Sequence, residues 1–292
     1  MGVKVFQVNN CPANFNIFLF GDIHSGTRSS HRKGVAKLID MVNTPYTGVK
    51  SNYAIDHGDM AETVTRTHQH FDPDFHYLSV REQEDECVKI RKPLGKKLIC
   101  VLDGNHTYRM ADTYGKAGGF ARKVAERLSV GYGSFTTKLE FYKKNGDLMF
   151  KSFHAHGSGS INSAADDSIR RWSNMKIALK RKLSKKAGDC ILMCFGHTHK
   201  IITVKPQSEL YLVNEGDKIV QKYTHSPNFH PTGFIHPDHR YYVNTGSLYK
   251  LYSDDPNAAS YAERAFYDPL ELGFVVMRVR NGVPVGLDRI IV

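Results

Sequence analysis

Short apolar runs alternate with longer stretches of helical character through the first half of the chain, and each apolar run stops at a cluster of polar residues. NIFLFGDIH (16–24) leads into RKGVAKLIDMV, and YAIDHGDM (53–60) leads through a mixed segment into a charged helical one near 76–91. KKLICVLDGNH (96–106) leads into a helical stretch near 116–128. Apolar runs of this length separated by helices predict β-α-β units and a partly parallel sheet. Open α/β sheets bind ligands beyond the carboxyl ends of their strands, which is where these polar clusters fall.

From about residue 134 the texture changes. FTTKLEFYKKNGDLMFKSFHAHG alternates around Asn145-Gly146, a strong short-range hairpin signal. Residues 164–186 predict a helix with a basic C-terminal half, and DCILMCFGHTH (189–199) predicts another buried strand ending in histidines. IITV, ELYLV and DKIVQKY are expected as strands of a second sheet, followed by a polar, histidine-containing stretch from 224 to 240. RYYVNTGSLYK and the closing GFVVMRVRNGVPVGLDRIIV predict further strands, the last pair a hairpin. The expected organisation is one domain over 1–292, with 201–240 as a rim or cap.

Composition narrows the setting. With 292 residues, 41% of them hydrophobic, the chain can bury one sizeable core. No window approaches the roughly eighteen apolar residues of a membrane span, and no basic-then-apolar leader opens the chain, so no membrane partner is expected. The five cysteines, Cys11, Cys87, Cys100, Cys190 and Cys194, are odd in number and unpaired in spacing. Three lie in apolar runs, which predicts reduced core thiols and a cytoplasmic protein. A net charge of +11 makes an anionic ligand physically reasonable.

The candidate chemistry lies at the strand ends. Asp22 and His24 stand in GDIH, Asp59 in HGDM, Asn105 and His106 in DGNH, His154 and His156 in FHAHG, and His197 and His199 in FGHTH. In Asp22/His24 and His197/His199 the members are two residues apart, so persistent strand geometry would aim both at the same side. Any one such pair is as compatible with a hydrogen-bonded surface strand as with a metal. Their joint occurrence at successive strand ends points to a metal centre, and imidazole with oxygen ligands suits manganese, iron, zinc or nickel better than copper(I).

The ordered set GDIH, GD (58–59), GNH (104–106), a histidine at 154–156 and GHTH (196–199), followed by NTGS (244–247), resembles the calcineurin-like metallophosphoesterases of bacterial or phage type. The resemblance implies a four-layer α/β/β/α sandwich in which two mixed β-sheets pack face to face. It implies one metal held by Asp22, His24, Asp59 and His199, and a second held by Asp59, Asn105, His154 and His197, with Asp59 bridging. Mn2+ is the expected ion, with iron, zinc and nickel as alternatives, and the implied chemistry is attack of a metal-bound hydroxide on a phosphate ester. His106 would approach the substrate oxygens as a catalytic residue.

Three departures qualify the match. The acid that often follows GNH, and orients the histidine, is replaced by Thr107. GDMAETVTR offers no substrate-gripping arginine directly after Asp59. Both His154 and His156 can be aligned with the fourth motif, and His154 is preferred, with His156 as an outer ligand or substrate contact. The expected substrate is a phosphodiester, with non-sequence-specific nucleic acid as a partner suggested by the basic helix. The alternatives are a nucleotide or other small phosphomonoester, and a non-catalytic, metal-stabilised nucleic-acid-binding protein.

Overall fold

The computed structural model describes residues 2–69, 71–110, 115, 119–224 and 233–292. Its first strands are β1 (Lys4–Cys11), β2 (Phe15–Phe20), β3 (Asn52–Asp56), β4 (Leu98–Val101) and β5 (Gly131–Tyr132). β6 (Thr136–Lys143) and β7 (Leu148–Ala155) form the hairpin about Asn145-Gly146. Then come β8 (Leu192–Phe195), β9 (Ile201–Val204), β10 (Leu210–Glu215), β11 (Lys218–Tyr223), β12 (Tyr241–Thr245), β13 (Gly273–Arg280) and β14 (Val283–Ile291). The described helices are α1 (Arg32–Asn43), α2 (Val80–Arg91), α3 (Asn105–Tyr108), α4 (Gly119–Leu128), α5 (Ser168–Leu183) and α6 (Tyr261–Arg264). Residues 116–118 of the expected helix near 116–128, and 225–232 of the expected polar stretch, lie outside the described residues.

Two six-stranded mixed sheets, ordered β14-β13-β2-β3-β4-β5 and β1-β6-β7-β8-β12-β9, make the two inner layers. Strand alternation sorts the core. On β2, Phe18 and Phe20 face α1, α2 and α4, packing with Leu38, Val42, Cys87 and Val124. Phe15, Ile17 and Leu19 face the other sheet and meet Phe141, Phe150 and Val243. Beyond the second sheet, Phe153, Met193 and Tyr242 pack on Met175, Leu179 and Leu183 of α5. The result is the α/β/β/α sandwich. At roughly 1.5–3 kcal/mol per fully buried large apolar side chain, these interfaces dominate the favourable energy of the fold.

Two placements differ from the sequence-based expectation. β9 joins β12 in the second large sheet, whereas β10 and β11 pair only with each other, exposing Leu212 and Ile219. β1, whose NN-containing run carries no strong strand signal, pairs in parallel with β6. All five cysteines are buried free thiols, and no helix among the described residues is long and apolar enough to cross a membrane. One ion pair is buried completely: Arg91 at the end of α2 donates from Nε to Asp56 Oδ2 at 2.6 Å. Asp56 Oδ1 in turn accepts the Gly58 N–H at 3.0 Å, fixing the turn that leads to Asp59.

Candidate metal centre

The strands stop before the candidate ligands begin. β2 ends at Phe20, β3 at Asp56 and β8 at Phe195, so Asp22, His24, Asp59, His197 and His199 sit on loops. All five have left-handed backbone, with φ of 50°, 49°, 43°, 66° and 57°. Such residues cost on the order of 1–3 kcal/mol each and persist where the surroundings over-determine them. Here backbone bonds do so: Asp22 N–H donates to Gly58 O at 2.9 Å and His24 N–H to Asp59 O at 3.0 Å. Same-side aiming from continued strand geometry is therefore not how these side chains converge; successive left-handed turns turn them toward one another.

Asp22 Oδ2 accepts the His197 N–H at 3.1 Å, tying the ends of the two sheets together, while its Oδ1 lies 3.4 Å from His199 Nε2. Just past β12, Ser247 Oγ donates to Asp22 O at 2.9 Å, so the NTGS segment closes this edge. Asp59 Oδ1 accepts the His106 N–H at 2.9 Å, leaving Oδ2 to face His156 Nε2 at 3.3 Å. A Cβ on Gly104 would fall 2.0 Å from Asp59 Oδ1, which explains why the residue before Asn105 carries none.

The arrangement fits cations. Asp22, His24 and His199 form one cluster and Asp59, His156 and His197 another, with ligand atoms within 4.8 Å of one another in each. Asp59 also clusters with His24 and His106, joining the two into a candidate binuclear site. His24 gives its Nδ1 proton to Glu62 Oε2 at 2.7 Å, so its Nε2 carries a lone pair, 3.3 Å from His199 Nε2. His156 gives Nδ1–H to His57 O at 2.7 Å and turns Nε2 toward Asn105 Oδ1 at 3.1 Å as well as toward Asp59. In the neutral imidazole the Nε2 lone pair would then face two oxygens, an arrangement that a proton or a divalent cation relieves. His197 Nδ1 is buried with no hydrogen-bond partner among the described residues.

Without a cation, the proton takes that place. Burial alone would lower His156, but the Asp59 carboxylate beside it dominates and pushes it up to about 9. Burial acts alike on Asp59, raising it, yet His156 and His106 hold it well below the usual carboxylate range. An imidazole binds a metal in its neutral form, so if His156 is a ligand, a divalent ion such as Mn2+ added at pH 7 should displace roughly one proton, with affinity rising with pH until about 9. Calorimetry in buffers of different ionisation enthalpy measures this. Binding heat independent of buffer contradicts it.

His106 is held from a direction that GNHT does not reveal. Its Nδ1 lies 3.2 Å from Glu62 Oε1, and its Nε2 lies 3.9 Å from Asp59 Oδ2. Burial would lower its pKa, but the Glu62 and Asp59 carboxylates push it up to about 9. Glu62 thus braces both His24 and His106. Thr107 instead donates to Asp103, whose other oxygen accepts the Tyr132 hydroxyl at 2.9 Å, pinning the Asn105 turn. Glu62 escapes sequence reading because its partners stand 38 and 44 residues away. Its only local signal is a carboxylate three positions after Asp59.

The two histidines of the fourth motif have different surroundings: His154 groups with His57 and Cys194, and His156 with Asp59 and His197. His154 lies within β7 and faces the space between the sheets, where His57 Nε2 meets its Nδ1 at 3.0 Å and Ser152 Oγ its Nε2 at 2.7 Å. Burial holds both His57 and His154 below the usual imidazole range, His57 at about 4, so the pair is neutral and its nitrogens are satisfied. His156, the first residue past the strand, reaches the carboxyl edge where the other candidates gather.

No protein-family profile matches the sequence, and no curated protein matches it. Among solved structures the chain is similar to a candidate diadenosine tetraphosphatase, with a TM-score of 0.38 and 12% identity over 99% of this chain and 98% of that one. That likeness is too distant to carry a function across.

Proposed function

We propose that this chain is a binuclear metal-dependent phosphoesterase that hydrolyses phosphodiesters. Asp22, His24, Asp59 and His199 would hold one divalent ion, and Asp59, Asn105, His156 and His197 the other, with Mn2+ first and iron, zinc or nickel as alternatives. The observation that carries this reading is that Asp59 Oδ2 and Asn105 Oδ1 lie 3.3 and 3.1 Å from His156 Nε2, beside the Asp22–His24–His199 cluster. Two such ions would neutralise phosphoryl charge and supply a hydroxide nucleophile at neutral pH.

The protein's own residues do the rest. Glu62 fixes the tautomer and tilt of His24, and the same carboxylate holds the proton on His106 Nδ1, leaving Nε2 directed to the substrate. His106, partly exposed and cationic, can stabilise charge on a phosphoryl oxygen or protonate a departing alkoxide. Glu62→Gln lowers kcat roughly 10- to 100-fold, the usual effect of removing such a support. Added to His106→Ala, it produces less than its separate loss, because part of the path runs through His106. Fully multiplicative losses in the double variant exclude that coupling.

Preference for a diester is supported by the space around His106. A cavity of about 520 Å³ and another of about 910 Å³ have His106 and Tyr261 in common and no other lining residue among the described ones. A diester has two substituents to house, whereas a monoester has one. Arg171 and Lys200 outnumber Asp268 in the lining of the larger cavity, and this positive balance supports a polyanion, and so a nuclease without sequence preference.

Hydrolysis of bis(p-nitrophenyl) phosphate and p-nitrophenyl phosphate, run in parallel with Mn2+, Fe2+, Zn2+ and Ni2+, tests the proposal. Faster diester turnover is expected. Monoester turnover alone shifts the assignment to a phosphomonoesterase of small phosphates, and no turnover with any ion overturns the enzyme in favour of a binding protein.

A further inference from the structure

The smaller cavity has a composition that the phosphoester reaction itself does not require. Val64 and Phe75 form buried apolar wall, and Tyr261 lines the boundary with the larger cavity. Tyr261 is a firm surface: its ring stacks on Tyr249 at 5.4 Å and 24°, and Tyr249 is itself buried against His24 at 4.8 Å. Ser260 caps α6 by accepting the Glu263 N–H at 3.0 Å and ties it down by donating to Leu251 O at 2.5 Å. One short turn thereby presents Tyr261 and, three residues on, Arg264, which share a face of the helix.

Arg264 and Arg109 bring two guanidinium groups to this apolar space. Neither has a carboxylate partner among the described residues; Arg109 donates from Nη2 to Glu62 O at 2.8 Å and keeps further donors. The acid lining the cavity, Glu62, is buried and already shared by His24 and His106. An aromatic face, an apolar wall and two guanidinium groups complement a planar ring joined to a phosphate. The volume, about 520 Å³, lies within the range of small-ligand sites.

We infer that this cavity, bounded by Val64, Phe75, Arg109, Tyr261 and Arg264, is a nucleotide subsite: the base lies against Tyr261 and the phosphate on the arginines. It deepens the proposed function and rests on it, since the bound unit would be one substituent of the phosphodiester at His106. Residues within 261–270 then contribute to the rim of the site, and none of the described residues of 201–240 lines either cavity.

Binding of adenosine 5′-monophosphate and ribose 5-phosphate to the Mn2+-loaded full-length chain, by calorimetry, tests this. Both phosphates can reach the metals, so the difference between the ligands reports the base. The nucleotide binds at least about 10-fold tighter, the lower end of what base–aromatic stacking supplies. Tyr261→Ala removes that margin, Tyr261→Phe keeps it, and Arg264→Ala weakens both ligands about 10-fold or more. Equal affinity for the two ligands in the wild type overturns the subsite, as does a margin that survives Tyr261→Ala. The phosphoesterase reading is judged separately, by turnover of bis(p-nitrophenyl) phosphate in the wild type. Turnover without a nucleotide margin discards the subsite alone.

Discussion

Asp59→Asn lowers Mn2+-supported diester hydrolysis by roughly 10³-fold or more while the chain stays folded, on the scale seen when a group facing the reacting charge is removed. The substitution is nearly isosteric, and its carbonyl oxygen can still accept the His106 N–H that Asp59 Oδ1 now accepts at 2.9 Å. The second oxygen becomes an amide, whose protons cannot serve a cation. That oxygen faces His156 Nε2 at 3.3 Å, and Asp59 belongs to clusters on both sides of the candidate centre. Losing the charge therefore removes the group that offsets repulsion between two cations. Metal analysis of the purified variant should show depleted Mn2+ alongside the lost turnover. Retention of more than about a tenth of the activity would mean that Asp59 does not bridge.

The largest stability effect is expected at Arg91. Arg91→Ala destabilises the chain by about 3–5 kcal/mol, because it strands the Asp56 carboxylate in a fully buried position. In thermal unfolding this is a fall on the order of 10 °C. Burial outweighs the favourable Arg91 charge at Asp56 and already raises its pKa; without Arg91 the rise is larger. A carboxyl whose folded pKa is raised is most compatible with folding when protonated. The variant's deficit is thus small below the pKa of an unfolded aspartate and grows as pH rises toward the folded value. Adding Asp56→Asn recovers part of the loss at neutral pH. Unfolding by urea at pH 4 and pH 7.5 measures both effects, and a deficit equal at the two pH values would rule out the stranded charge. Since Asp56 also accepts the Gly58 N–H, the single variant should lose metal affinity as well.

The two predictions start from motifs of different legibility. Asp59 stands in an apolar-run-then-GD pattern that announces a strand end, and the strand does end at Asp56. Arg91 closes a charged helical segment in which nothing marks it as the one arginine that turns inward. Its partner lies 35 residues earlier, brought near only when α2 packs on β3. Glu62 is the same case at the site, recognisable only once His24 and His106 are in place. The fourth motif is less legible for a smaller reason: FHAHG does not say where β7 stops, and its end at Ala155 puts His154 within the strand and His156 just past it.

Hydrophobic periodicity is local, and by itself it determined most strands and helices, the α/β class and the grouping of ionisable residues at strand carboxyl ends. Tertiary structure decided which residues of each group meet. The loops past the strands adopt left-handed turns that no nearest-neighbour pattern demands; they are held by hydrogen bonds such as Asp22 to Gly58 and His197 to Asp22, which form only after two sheets have packed. It also decided that Glu62 braces the histidines and that Tyr261 and Arg264 border the site. Contacts between residues far apart in sequence carry these choices, and their energy exists only in the folded chain.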